Sequence, residues 1–178
     1  EVQPEFRDTI GDTVHRDHKG YGELVYRNQT GRNDFVILKA AYDAANLYFF
    51  AQTLNNISPH TGTNWMLLLL DADQNAGTGW LGYDYVVNLE VLGSSTTTIK
   101  AWRDGKWQNA GKVKYRSNGN GLELAVPRKL VGQKSGTPAF DFHWADNIQS
   151  FDGAPDFGVN GDSAPNRRAN YRYEVRTR

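Results

Sequence analysis

Cysteine is absent from the 178 residues, so the chain can hold no disulfide, no thiolate zinc site and no cysteine nucleophile. A surplus of charge is lacking too: 20 Lys and Arg stand against 20 Asp and Glu. That balance argues against a general nucleic-acid binder, which normally carries a basic excess. The purely apolar run Met66 to Leu70 falls far short of the roughly 20 residues of a membrane span. No secretory signal pattern is present, yet the chain begins at Glu1 rather than Met, which reads as a processed or excised piece of a larger protein. Enzyme signatures are missing as well: there is no Gly-x-Ser-x-Gly elbow, phosphate loop, dinucleotide fingerprint or His-Glu-x-x-His. A glycosidase carboxylate pair leaves no local signature, but Glu90 and Glu123 both fall within strand patterns. The expectation is a chain that is not an enzyme.

Glycine and aromatics are plentiful: 18 Gly, five Trp, nine Tyr and eight Phe. Gly-punctuated, Tyr- and Trp-rich chains with few helical patterns are characteristically β proteins. At this length folding buries roughly 70% of the unfolded chain's surface, enough for one core without staples. A single domain over residues 1–178 is expected, with a polar lead-in segment at 1–33 and a sandwich at 34–178.

Strand patterns recur along the chain. Residues 35–42 and 47–53 flank Asp43-Ala44-Ala45-Asn46 and read as a hairpin, although Leu47, Phe50, Ala51 and Leu54 also fit a helical stripe. Residues 65–70 form a continuous apolar run, as expected of a strand covered on both faces. Further strands are predicted at 83–91, 97–102, 106–109, 112–116, 122–126, 140–144 and from 171, with a short one at 24–26. Asp104-Gly105 marks a tight turn, and Pro127 opens a single helical turn to Val131. Phe140, Phe142 and Trp144 share one face, as do Tyr171, Tyr173 and Val175. About nine or ten strands with turns between them predict an all-β, two-sheet antiparallel β-sandwich of jelly-roll-like form.

The most pointed feature is Asp71-Ala72-Asp73-Gln74-Asn75, followed by Gly77, Gly79 and Asp84. Oxygen ligands at alternate positions of a tight loop suit a hard cation, and Gly allows the backbone turns that bring them together. The loop departs from an EF-hand, because its twelfth position is Gly82 rather than Glu; Asp84 can supply the missing carboxylate. Asp71, Asp73, Asn75 and Asp84 are therefore candidate ligands for Ca²⁺. The alternative is that Asp and Asn merely cap a turn.

Trp80, Trp102 and Trp107 lie near loops or hairpin ends rather than in apolar runs. Indole contacts the C–H face of a sugar ring, and polar side chains meet its hydroxyls. Trp102 and Trp107, on either side of Asp104-Gly105, are candidates for such a platform, with Trp80 nearby and Arg103, Gln108 and Asn109 as hydrogen-bonding partners. The alternative for each Trp is a place in the core, as expected for Trp65 and Trp144. His15 and His18 read as a solvated surface or a weak metal motif, and His143 as a hydrogen-bonded strand residue. The loop from Asn160 to Arg168 either lines a site or is structural, with Asp162 and Arg167 paired. The Arg-rich tail, Arg176 included, fits solvent-facing alternation.

Residues 33–35 through 46–49, Trp65-Met66 into Leu70-Asp71-Ala72-Asp73-Gln74-Asn75, and Thr78-Gly79-Trp80-x-Gly82-Tyr83-Asp84 resemble family 9 carbohydrate-binding modules and the wider DOMON-like β-sandwiches. Trp144-Ala145-Asp146 and Asn160-Gly161-Asp162-x-Ala164-Pro165 fit the same pattern. The resemblance covers most of the chain from about residue 33, and the Asp-rich loop with Thr-Gly-Trp is its most specific part. It implies a structural Ca²⁺, sugar held between aromatic side chains, and attachment to a secreted bacterial polysaccharide-degrading enzyme. The implied location is periplasmic, extracellular or at the cell surface. The expected partners are an oligo- or polysaccharide and a covalently attached catalytic domain, with the chain itself a monomer. Rival readings are a structural sandwich that packs on its catalytic partner without binding sugar, and a haem-binding electron-transfer domain using Met66 and His143.

Overall fold

The computed structural model describes the chain except residues 1–3, 14, 15, 30, 63, 160, 168 and 176–178. His15, Asn160, Arg168 and Arg176, each singled out above, lie outside the described residues. No helix among the described residues is long and apolar enough to cross a membrane.

The fold is all-β and antiparallel. In chain order the strands are β1 (Glu5–Arg7), β2 (Arg16–Lys19), β3 (Val25–Asn28), β4 (Phe35–Tyr42), β5 (Asn46–Thr53), β6 (Leu67–Asp71) and β7 (Tyr85–Val91). They continue as β8 (Thr96–Arg103), β9 (Lys106–Asn118), β10 (Gly121–Pro127), β11 (Ala139–Asp146), β12 (Asp162–Ala164) and β13 (Tyr171–Glu174). One 3₁₀ turn, Arg128–Val131, and one helical turn α1, Asp156–Val159, complete the elements. Strands β2 and β3 form a separate hairpin. The others make one sheet in the order β1-β4-β5-β10-β9-β8-β7-β6-β11-β12, with β13 paired to the other half of the β11 edge.

This sheet folds over on itself as a sandwich that nearly closes. Phe35 and Phe49 of β4 and β5 meet Trp144, Phe140 and Phe142 of β11 across the interior. Alternation explains the partition: Leu47, Phe49 and Ala51 point inward with Leu122, Leu124 and Val126, while Tyr48 and Glu123 face out. The two edges also approach each other. Phe6 of β1 packs edge-on against Phe142, with ring centroids 5.1 Å apart, and the Tyr171 hydroxyl donates to the Arg7 carbonyl.

Every residue of β6 is buried, because a second apolar cluster covers its outer face. Leu68 and Leu70 join the main core, whereas Leu67 and Leu69 pack with Trp80, Tyr83, Val86, Ala145, Ile148 and Phe157. That outer cover is built from the β6–β7 loop and the β11–β12 connection. Beneath it, Asp146 is fully buried, and it accepts hydrogen bonds from Arg32 Nε at 2.7 Å, Asn33 Nδ2 at 2.9 Å and the Met66 N–H at 2.9 Å. A buried carboxylate so supplied ties the chain ahead of β4 to the end of β11.

The expected hairpins and the helical turn after Pro127 are present, and the strand form of 47–53 displaces its helical alternative. Three details differ. The stretches 106–109 and 112–116 are one strand, β9, because an irregularity in register beside Gly111 absorbs the break. Short strands β1, β2 and β12 appear in segments read as irregular; β1 and β12 pair with more distant chain and leave no local pattern, while β2 forms a polar hairpin with β3. Val175 lies outside β13 and is exposed.

Candidate cation and glycan site

The buried strand β6 ends at Asp71, so the first carboxylate of the Asp-rich loop stands on a rigid support. The loop then turns tightly. The Asn75 N–H is shared between Asp71 Oδ1 at 3.2 Å and Asp73 Oδ1 at 3.0 Å, and Asn75 Oδ1 accepts the Gly77 N–H at 3.0 Å. The Thr78 hydroxyl donates to the Asn75 carbonyl at 2.8 Å. Gly79 has φ near 67°, and a Cβ there would run into the Tyr83 carbonyl, so only glycine fits this crossing. Asp84 is returned to the start of the loop by its N–H, which donates to the Leu70 carbonyl at 2.9 Å, and its Oδ2 accepts the Ala72 N–H at 2.9 Å.

The result is a convergence of Asp71, Asp73 and Asp84, with one carboxylate oxygen from each within 4.8 Å of the others. Burial, with Asp73 and Asp84 alongside, pushes the Asp71 carboxyl up to about 6, and burial also raises that of Asp84. None of the three is in an ion pair with a basic side chain among the described residues. An all-oxygen, carboxylate-rich donor set fits a hard divalent cation. Asn75 is different: its side-chain oxygen closes a turn, the capping role that was the alternative for this loop.

The aromatic residues are arranged otherwise than a single platform would need. Trp80 is 7% exposed and donates its indole N–H to the Phe151 carbonyl at 3.0 Å, so it belongs to the outer apolar cluster and offers no open face. Trp102 and Trp107 are direct cross-strand partners and half-buried, but their rings meet edge-on at 69° rather than lying flat together. Trp107 also meets Trp80 edge-on, with centroids 6.2 Å apart. Because side chains alternate along a strand, Arg103 and Gln108 stand on the face opposite to Trp102 and Trp107. Gln108 Nε2 donates to the Arg103 carbonyl at 3.1 Å, and Asn109 Oδ1 accepts the Gly111 N–H at 3.1 Å. Gln108 and Asn109 thus serve the hairpin itself.

Arg103 does reach a common pocket with the acidic loop, and Trp102 borders it although its ring packs on the outer cluster. The pocket has a volume of about 320 Å³ and is lined by Asp73, Asp84, Tyr85, Trp102, Arg103 and Gln133, among others. Tyr85 and Gln133 were not singled out in the sequence. Tyr85 sits in an ordinary strand pattern. Gln133 follows the 3₁₀ turn and is brought here by its Nε2, which donates to the Ala72 carbonyl at 2.6 Å and to the Ala139 carbonyl at 3.1 Å. Such a placement has no local sequence signal.

The histidines and the late loop fall into place individually. His18 is exposed on β2, its ring 5.5 Å from that of Tyr26. His143 is fully buried, with Nδ1 2.9 Å from the Ala169 carbonyl and its ring between Tyr83 and Phe157; burial holds its pKa down to about 4. Met66 packs in the main core, whereas His143 packs in the outer cluster, so the two stand on opposite faces of the sheet. Asp162 accepts the N–H groups of Phe35 at 2.7 Å and Ser163 at 2.8 Å, while Arg167 is exposed and forms no ion pair with it among the described residues.

No family model matches the chain, and no curated protein matches it.

Proposed function

We propose that this domain is a non-catalytic carbohydrate-binding module of the family 9 or DOMON-like kind, with a structural Ca²⁺ in the β6–β7 loop. Asp71, Asp73 and Asp84 would hold the ion, which supplies fixed positive charge and cross-links the start and end of the loop. The observation that carries the reading is the pocket beside that loop, where the Tyr85 ring meets Arg103, Gln133, Asp73 and Asp84. Aromatic surface with convergent donors and acceptors suits a sugar's apolar face and its hydroxyls. At about 320 Å³ it lies near the lower end of the roughly 300–1,000 Å³ typical of small-molecule sites, enough for one or two rings rather than a long chain.

The domain would hold an attached polysaccharide-degrading enzyme at its glycan, in a periplasmic or extracellular setting. Modest affinity suffices, because tethering raises the effective concentration of the attached enzyme at its substrate. Native gels cast with a panel of polysaccharides test this: the Ca²⁺-loaded wild type is retarded by one glycan class and Arg103→Ala is not. Equal mobility in every gel overturns the reading.

A second reading is a structural accessory domain that binds no sugar. It is favoured by the burial of Trp80 and the packing of Trp102 and Trp107, which spend all three candidate rings on the outer cluster.

A further inference from the structure

A second group of carboxylates lies far from the β6–β7 loop in the chain. Asp8 and Asp12 follow β1, and Asp162 opens β12; one oxygen from each lies within 4.8 Å of the others. Acidic clusters alone are common, but here an independent observation stands beside them. Asp34, immediately before β4, is 5% exposed, and its Oδ1 is buried without a hydrogen-bond partner among the described residues, the nearby Thr13 hydroxyl donating to the Gly31 carbonyl instead. Its other oxygen accepts the Gly11 N–H at 2.8 Å, which sets the carboxylate against the turn carrying Asp8 and Asp12, and both of those repel it electrostatically.

The orphan oxygens extend into the cluster itself. Asp8 Oδ2 and Asp12 Oδ1 are likewise buried and without partners, although Asn166 Nδ2 donates to Asp12 Oδ2 at 2.7 Å. Asp162 is 2% exposed, and among the described residues its two oxygens accept only the N–H groups of Phe35 and Ser163. No basic side chain forms an ion pair with any of the four among the described residues. Burial pushes the Asp8 carboxyl up to about 7 and that of Asp162 to about 9, as expected where negative charge is brought together without a counter-charge. Orphaned buried acceptors are costly, and three of them, on Asp8, Asp12 and the adjoining Asp34, call for a cation.

We infer that Asp8, Asp12, Asp34 and Asp162 form a second cation site, independent of the β6–β7 loop, that takes Ca²⁺. The donors are all hard oxygens, with neither imidazole nor thiolate among these four, which favours Ca²⁺ over a transition metal. The position gives the site a role. Asp8 follows β1, at one edge of the sheet, Asp162 lies in β12, at the other, and Asp34 leads into β4. An ion here clasps the seam where the folded sheet nearly closes.

Calorimetric titration of the chelator-stripped full chain with Ca²⁺ alone tests this, together with the thermal midpoint. The exposed Asp73→Asn change weakens the first site without touching the second. Asp73→Asn is expected still to bind one Ca²⁺ per chain and to gain thermal stability from it. Asp73→Asn/Asp12→Asn is expected to lose that equivalent and the gain. Absence of both heat and midpoint shift in Asp73→Asn overturns the second site, whatever the fate of the double variant. So does a stoichiometry unaltered by Asp12→Asn or, should that variant fail to fold, by Asp8→Asn. A wild type that binds one ion, lost with Asp12→Asn but kept in Asp73→Asn, upholds this site and refutes the loop site.

Discussion

Three tryptophans within 28 residues of one another pack on one outer cluster, and the ring beside the pocket is that of Tyr85. Trp80 is a core residue of the outer cluster, in ring contact with Tyr83, Trp107, Phe151 and Phe157. Removing it leaves a hole in tight packing, so Trp80→Ala is expected to cost about 3–5 kcal/mol in chemical denaturation. Tyr85 is half-buried at the pocket, and Tyr85→Ala is expected to cost about half as much or less while abolishing glycan retention. A reversed order of stability losses would mean that the ring assigned to sugar is the structural one. At this scale the sequence was a partial guide: the Asp-rich loop announces its carboxylates by spacing, whereas nothing local separates an indole that is covered from one that is open. Coverage of Trp80 comes from Phe151 and Phe157, about 70 residues further on.

Among the elements, β11 shows how alternation divides labour. Phe140, Phe142 and Trp144 fill the main core, while His143 faces the outer cluster against Tyr83 and Phe157. The inward aromatics were legible from period two. The burial of His143 was not, since its cover is the β11–β12 connection, whose pattern is polar. A histidine held neutral has a pH signature with a definite sign. Its folded pKa, about 4, lies below the ordinary 6.5, so its contribution to stability is complete above 6.5 and is lost as pH falls toward 4. Buried carboxylates with raised pKa values act in the opposite direction over part of that range, so the comparison must be differential. Between pH 7 and 4 the wild type is expected to lose about 3 kcal/mol relative to His143→Gln, measured by denaturation at each pH. Parallel curves for the two proteins would show that the imidazole titrates normally in the fold.

At the scale of the whole molecule, one antiparallel sheet folds into a sandwich whose seam lies between β1 on one edge and β12 and β13 on the other. The strands and hairpins from residue 35 to 144 were readable because their apolar alternation and turn residues are local. The seam was not readable, because short β1 and β12 owe their existence to long-range pairing. The same holds for the pocket, whose lining comes from the β6–β7 loop, the β8–β9 hairpin and the turn after β10. Fluorescence titration of the Ca²⁺-loaded chain against soluble oligosaccharides, with Tyr85→Ala alongside, tests the central claim most directly. A saturable change with one glycan class, lost in the folded variant, is the expected result. A flat response of the folded, Ca²⁺-loaded wild type to every oligosaccharide would contradict a sugar-binding role and leave the accessory sandwich in its place.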